Sequence, residues 1–371
     1  MSRTKTLLVD SATNLAGTGA PNIPVDLSVN GTLLASLNTM DYYAQSGEPS
    51  SPKDAALWFD TDDDVFKMYV NDEWVQVNYS TAPPFFLGSR GLFGGGNTDN
   101  PVNTVEYITI PTPSNATDFG DLTVSRRVLA ACSSGSRGIF GGGDIGGSVV
   151  TNTIDYFTVA NTGNATDFGN LTVARQYLAA CSNTTRGVFA GGLPSPYNVI
   201  DYVTIATTGD ATDFGDLLAY SSFGLTGCSS SSRGLFGGGQ SANTINYITI
   251  DTAGNATDFG DLTTNMYVGS ACSDGTYGLF GGGEPSSGQE RNVIDYVTID
   301  TPGNATDFGD LTVARDFLAA CSNGTYGVFG GGASSSVLNT IDYVTIATPG
   351  NATDFGDLTT ATRMLAACSG D

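Results

Sequence analysis

The chain has 371 residues, with 49 Gly, 14 Pro and no His, and its 14 Lys plus Arg against 37 Asp plus Glu give a formal net charge of −23. The absence of His excludes Ser-His-Asp and Cys-His catalysis, His-ligated zinc or copper and histidine pH switching. The charge argues against a nucleic-acid backbone or an anionic membrane surface as partner. Charged residues make up 14% and hydrophobic ones 40%, a composition that suits turn-dense β structure and not a charge-rich disordered chain.

The opening run Met1–Asp10, MSRTKTLLVD, is too short in apolar residues for a secretory leader. No later run approaches the ~18 apolar residues of a membrane span. Synthesis in a cytosol is therefore expected. Residues 1–50 are weakly patterned, with one candidate strand pair in Val25–Leu37 around Asn30-Gly31, a good hairpin turn. Residues 56–77 read as a small β-meander: two strands flank Asp62-Asp63-Asp64 and a third follows Asn71-Asp72. Its plain reading is a miniature core of aromatic residues. The sequence Leu57-Trp-Phe-Asp-Thr61, followed by Tyr69-Val-Asn71 and Trp74-Val75, also resembles a short module of bacteriophage tail-fibre and other virion appendage proteins. That resemblance implies that residues 1–80 attach the chain to other virion proteins, with Trp58, Phe59 and Trp74 as attachment residues. All three Lys and both Trp lie in this part, and all six Cys lie beyond it. The change falls at Thr81-Ala-Pro-Pro-Phe-Phe-Leu-Gly88, whose paired prolines suit a linker at 81–88.

Residues 89–371 are built from repeats. The phrase Thr-Asp-Phe-Gly occurs six times, at Phe119, Phe168, Phe214, Phe259, Phe308 and Phe355. Each copy has one Cys (Cys132, Cys181, Cys228, Cys272, Cys321, Cys368), one Phe-Gly/Ala-Gly-Gly phrase and one Ile/Val-x-Tyr-x-Thr phrase, in fixed order. Each unit reads as four short strands, as in Leu178–Ser182, Arg186–Gly192, Asn198–Ala206 and Ala211–Leu217. Four strands in roughly 45–50 residues is the pattern of a propeller blade. The last repeat stops after its first strand, and the repeat beginning at Ser89 lacks that strand. The expected fold is therefore all-β: a six-bladed propeller in which the C-terminal strand completes the blade begun at Arg90.

A small apolar strand, a strand ending in paired Gly, a Tyr strand and an aromatic in the fourth strand resemble kelch repeats over residues 89–371, with Phe where kelch blades carry Trp. Glycine-rich propellers with repeated Phe-Gly-Gly-Gly and Asn-Ala-Thr-Asp-Phe-Gly-Asp phrases are also similar to structural proteins of marine phages. Together the resemblances imply a virion protein, located at the tail or capsid surface and made in the host cytoplasm.

The motifs that suggest chemistry have simpler readings. No Gly-Gly-Gly run is followed by Gly-Lys-Ser/Thr, so a phosphate loop is not expected, and Gly there lets blades approach. Asp-Phe-Gly without the other kinase phrases is not a magnesium turn. Pairs such as Asp118 with Asp121 supply too few oxygens for calcium by themselves. The Cys lack Cys-x-x-Cys pairing and read as small buried hydrophobes instead of a soft-metal ring. Arg126, Arg175 and Arg315, six residues before a Cys, and Arg90, Arg137, Arg186 and Arg233, opening second strands, are expected to pair with Asp or with backbone carbonyls. The alternative, an acidic-sugar enzyme, lacks the Ser-x-Asp-x-Gly-x-Thr-Trp boxes of six-bladed sialidases. Asn-Ala-Thr at Asn115, Asn164, Asn255, Asn304 and Asn351 fits the glycosylation sequon, but Asn in a tight turn suffices. No catalytic, cofactor or metal residue is assigned, and the chain is not expected to be an enzyme.

The most informative variation lies between the Gly-Gly strand and the Tyr strand. The intervening segments 97–102, 144–151, 193–197, 240–242, 284–291 and 334–338 differ in every repeat while the rest is nearly fixed. That is how a scaffold presents a specific surface, although exposed loops also drift freely. Tyr197, Gln240, Glu284, Gln289 and Arg291 are the candidate rim residues, for a host surface receptor or glycan. The expected function is a tail fibre or appendage; a capsid-decorating protein and an enzyme acting on acidic polysaccharide are the alternatives. No heptad supports a coiled-coil trimer, and homo-oligomerisation stays open.

Overall fold

The computed structural model describes residues 88–218, 223–285 and 288–370 in full, and the backbone of six strands between Ser28 and Val77. The chain divides into two compact units, Met1–Pro84 and Phe85–Asp371.

In the first unit, β1 (Ser28–Val29) and β2 (Thr32–Leu33) pair antiparallel around Asn30-Gly31. Strands β4 (Leu57–Asp60), β5 (Val65–Val70) and β6 (Glu73–Val77) form the antiparallel meander expected from the sequence. A fourth strand, β3 (Tyr42–Gln45), joins parallel to β4. Residue patterning does not reveal this strand, because its partner is set by a crossover and not by a turn.

The second unit is a six-bladed propeller. Blade 2 holds β10 (Ala130–Ser133), β11 (Arg137–Gly141), β12 (Thr153–Thr158) and β13 (Thr166–Asn170), paired antiparallel in that order. Blades 3 to 6 repeat the order, beginning at Ala179, Leu225, Ser270 and Ala319. Blade 1 is made from both ends of this unit. Its inner strand, β30 (Ala366–Gly370), pairs with β7 (Arg90–Gly94) from Ala366↔Gly94 to Gly370↔Arg90, ahead of β8 (Thr104–Thr109) and β9 (Thr117–Asp121). The closure leaves no unpaired edge where the ring begins and ends.

Blades are joined by side chains that the repeat places at equal positions. In five of the six Phe-Gly/Ala-Gly-Gly phrases the Phe lies on the glycine one blade back: Phe140 on Gly94, Phe189 on Gly141, Phe280 on Gly237, Phe329 on Gly281 and Phe93 on Gly330. A Cβ on Gly141 would sit 2.7 Å from the Phe189 ring, so glycine lets these blades approach closely, while blade 3 carries Ala190 at the equivalent place, in one cluster with Phe236. The glycine of Asp-Phe-Gly has a second reason. Gly120 has φ 149°, and its Cα faces the Gly163 carbonyl of the next blade. The Asn of Asn-Ala-Thr accepts a hydrogen bond from a neighbouring blade, as Asn164 Oδ1 does from the Asp121 N–H at 3.1 Å. Asn115, Asn255, Asn304 and Asn351 do the same, and Asp210 takes the place in the one repeat that lacks Asn. These side chains are therefore inter-blade links as well as turn residues.

The arginines also have internal partners. Arg126, Arg175 and Arg315 are fully buried and pair with the buried carboxylates Asp155, Asp201 and Asp342 at 2.8–2.9 Å. Each also donates to backbone carbonyls, as Arg126 does to Thr153 and Phe140. In two of the three blades without that Arg the acid changes too, Asn246 standing at its place in blade 4 and Glu106 opposite Thr362 in blade 1; blade 5 keeps Asp295 opposite Met266, with Thr263 donating to it and Arg291 acting on it. Arg90, Arg137, Arg186 and Arg233 lie over Tyr107, Tyr156, Tyr202 and Tyr247 at 4.3–4.9 Å. They donate to Val159, Ile205, Ile250 and Ile299 carbonyls of other blades. None of these seven is left to hold an acidic sugar.

Candidate functional site: the axial mouth

The inner strands touch one another around the axis, and each carries Ala-x-Cys-Ser or a close variant. The six Cys are buried, and each Sγ packs on a glycine of the next blade, as Cys132 does on Gly187 and Cys368 on Gly138. Burial pushes the Cys132 and Cys321 thiols up to about 12. They fill inter-blade gaps and do not line the axis. Beyond five of the six Cys, the Ser hydroxyl donates to the Ser carbonyl of the preceding blade: Ser133 to Ser369, Ser182 to Ser133, Ser229 to Ser182, Ser273 to Ser229 and Ser322 to Ser273, at 2.6–2.7 Å. This ladder draws the inner strands together at one end.

The other end is closed by backbone. Four residues before each Cys stand Val128, Tyr177, Gly224, Val268, Phe317 and Met364, all at φ between 50° and 71°. Each N–H donates to the carbonyl of the equivalent residue one blade back, at 2.8–2.9 Å, from Val128 to Met364 and from Met364 to Phe317, in an unbroken ring. Positive φ is costly for Val and Phe; the six bonds of the ring hold it in place. Their side chains line a depression of about 70 Å³ on the axis, together with leucines of the inner strands.

The variable segments stand at this same end. In five blades the residue five before Cys bridges to the start of a variable segment or the residue just before it: Arg127 to Asp144, Gln176 to Leu193, Tyr267 to Glu284, Asp316 to Ala333 and Arg363 to Asn97. Gln240 donates its N–H to the Phe223 carbonyl in blade 4. An aromatic group sits at the mouth. Tyr177 meets Tyr267 at 6.3 Å, Phe223 at 6.5 Å and Phe317 at 6.4 Å, and Phe223 meets Tyr267 at 6.0 Å.

Charge divides this mouth unequally. Arg127 is committed to Asp144 at 2.9 Å. Asp316 is 8% exposed. Burial, with Glu284 and Glu290 close by, pushes its carboxyl up to about 7, against the pull of Arg363. Burial and Glu290 raise Glu284 as well. Burial, Tyr177, Glu284 and Asp316 push the Tyr267 hydroxyl up to about 12, so it stays protonated at neutral pH.

Of the five rim residues expected from sequence, three border this mouth. Tyr197 is 41% exposed and its ring lies 6.0 Å from Phe223. Gln240 is exposed above Phe223, and Glu284 is half-buried beside Tyr267. Arg291 turns into its own blade, donating to the Asn265 carbonyl at 3.3 Å and lowering the Asp295 carboxyl that burial raises. Gln289 is exposed, and no contact draws it to the aromatic group. The side chains of Trp58, Phe59 and Trp74 lie outside the described residues; their backbones lie in β4 and β6. Sequence reasoning missed Tyr177, Phe223, Tyr267, Phe317, Asp316 and Arg363. The signal was present: the pair of residues four and five before Cys is different in every repeat, beside a nearly constant Leu-x-x-Cys. Compared with known protein-family models and with curated proteins, the chain matches none.

Proposed function

We propose that this protein is a non-enzymatic adhesin of a bacteriophage virion, a tail-fibre or tail-appendage component made in the host cytoplasm. Its propeller holds a host surface receptor through the mouth and its surrounding variable loops, and its N-terminal module joins it to other virion proteins. The observation that carries the binding role is the concentration of variation at one end. The framework contacts between blades repeat almost unchanged, whereas the two adjacent mouth positions carry a different pair of residues in every blade. The virion setting rests on the resemblance of residues 57–75 to appendage modules.

The test is labelling of intact particles with an antibody against residues 89–371. Label at the tail or its fibres supports the reading. Label spread over the shell moves it to a capsid-decorating protein, and absence of label overturns it. A hydrolase reading draws on Asp316 near Glu284, since glycoside hydrolysis uses a pair of carboxyl groups. Turnover of a host polysaccharide by the purified chain would replace adhesion with that reading.

A further inference from the structure

We propose that the axial mouth binds an amine-bearing saccharide, with the ammonium group set against Asp316, Glu284 and Glu290 and the sugar ring against the faces of Tyr177, Phe223 and Tyr267. This rests on the adhesive reading and names its ligand class.

The argument begins with shape. The mouth is concave, occurs once per propeller and is floored by apolar and aromatic side chains around the closed backbone ring. Half-buried Tyr and Phe rings pack well against the C–H faces of a pyranose, and they attract cations through their π faces. Charge decides the kind of sugar. Asp316 is almost fully buried, yet no neighbouring residue donates a hydrogen bond to its carboxylate, and no cation stands within ion-pair distance. Its own backbone N–H lies near the carboxylate but donates to the Ala333 carbonyl at 2.9 Å. The carboxylate oxygens keep contact with solvent and so are open to a ligand, and a bound cation relieves the cost of so confined an anion. Glu284 and Glu290 add to the same field; Arg127 is taken by Asp144, and Arg363, the one cation that acts on Asp316, stands against three carboxylates and not within ion-pair distance of it.

The cation that fits is organic. Among the described residues the carboxylates form no metal-holding group, and aromatic rings stand beside them in place of further oxygens. A hydroxyl-bearing ligand fits better than a bare alkylammonium. The Tyr177 and Tyr267 hydroxyls can donate and accept, and the buried Arg363 Nε has no hydrogen-bond partner. An acidic sugar would meet repulsion from the same three carboxylates.

The experiment is calorimetric titration of the full chain with a glucosamine tetrasaccharide, its fully N-acetylated counterpart and a galacturonate tetrasaccharide. Salt of about 0.5 M screens the long-range attraction of a cation to the −23 chain. Saturable binding of the amine form, about tenfold or more above the N-acetylated form, is expected, with no binding of the galacturonate. Asp316→Asn, which keeps the side-chain shape, should weaken amine binding by about tenfold or more, and Phe223→Ala should weaken both amino-sugar forms. Gln289→Ala should change nothing. Equal binding of the amine and N-acetylated forms, undiminished binding by Asp316→Asn, or no binding of the amine form would each overturn the proposal. Adhesion of the chain to host cells, measured in parallel, separates the two readings. Adhesion without amine binding removes only the ligand class, and amine binding without adhesion removes only the adhesive role.

Discussion

At the scale of single residues, the repeat places polar groups where they become internal partners. Arg175 and Asp201 are both buried and bonded at 2.8 Å. Removing only the cation leaves a buried anion, so Arg175→Met should cost about 3–5 kcal/mol in denaturant unfolding. Adding Asp201→Asn should recover much of that loss, because blade 4 already carries Asn246 where it lacks the Arg. The thiols give a second test. Burial holds Cys132 at about 12, and its sulfur lies against Gly187. All six Cys should resist a thiol reagent at pH 8 in the native protein and react on unfolding; fast native labelling would contradict their burial. The mouth gives a third. Asp316 titrates near 7, above its ordinary 3.8. The folded state therefore binds this proton more tightly than the unfolded state. Its contribution to stability should rise as pH falls from about 7 toward 4. Thermal melts across that range should show the rise in the natural chain and a smaller one in Asp316→Asn.

At the scale of elements, the strand that matters most is β30. It supplies the inner strand of blade 1 and the carbonyl of Ser369 that receives the Ser133 hydroxyl. Ending the chain at Leu365 should expose the edge of β7 and remove one link between inner strands. The truncated protein is expected to lose its single cooperative melting transition and to associate through the open edge, as read by calorimetry and size-exclusion chromatography. A truncated chain that melts like the full one would show that the ring does not depend on this closure. Tyr277 and Tyr326 illustrate how the elements tolerate change. Where they replace Arg, edge-on packing against Tyr296 at 6.0 Å and Tyr343 at 5.5 Å substitutes for the cation over the ring.

At the scale of the whole molecule, framework and surface separate. The contacts between blades are the same residues repeated, and the mouth differs in each blade. Joint replacement of Tyr197, Gln240 and Glu284 by Ala should lower host-cell binding by about tenfold or more while leaving the melting temperature within a few degrees. Unchanged binding by that triple variant would move the contact surface away from the mouth.

The sequence by itself determined the all-β class, the six blades and the completion of blade 1 by the C-terminal strand. It could do so because six copies of one phrase order leave a single way to distribute four strands per repeat. It also carried the burial of the Cys and the internal use of the arginines, which follow from residue type and spacing. Loop variability pointed to the end of the propeller where the variable segments adjoin the axial mouth, bordered by Tyr197, Gln240 and Glu284. What only the tertiary structure decided is which residues meet across the axis. Tyr177, Phe223, Tyr267 and Phe317 are separated by some 40 to 50 positions along the chain. They converge because the ring of backbone hydrogen bonds sets them around one centre, and proximity that arises from closing a ring of repeats leaves no local pattern within any one of them.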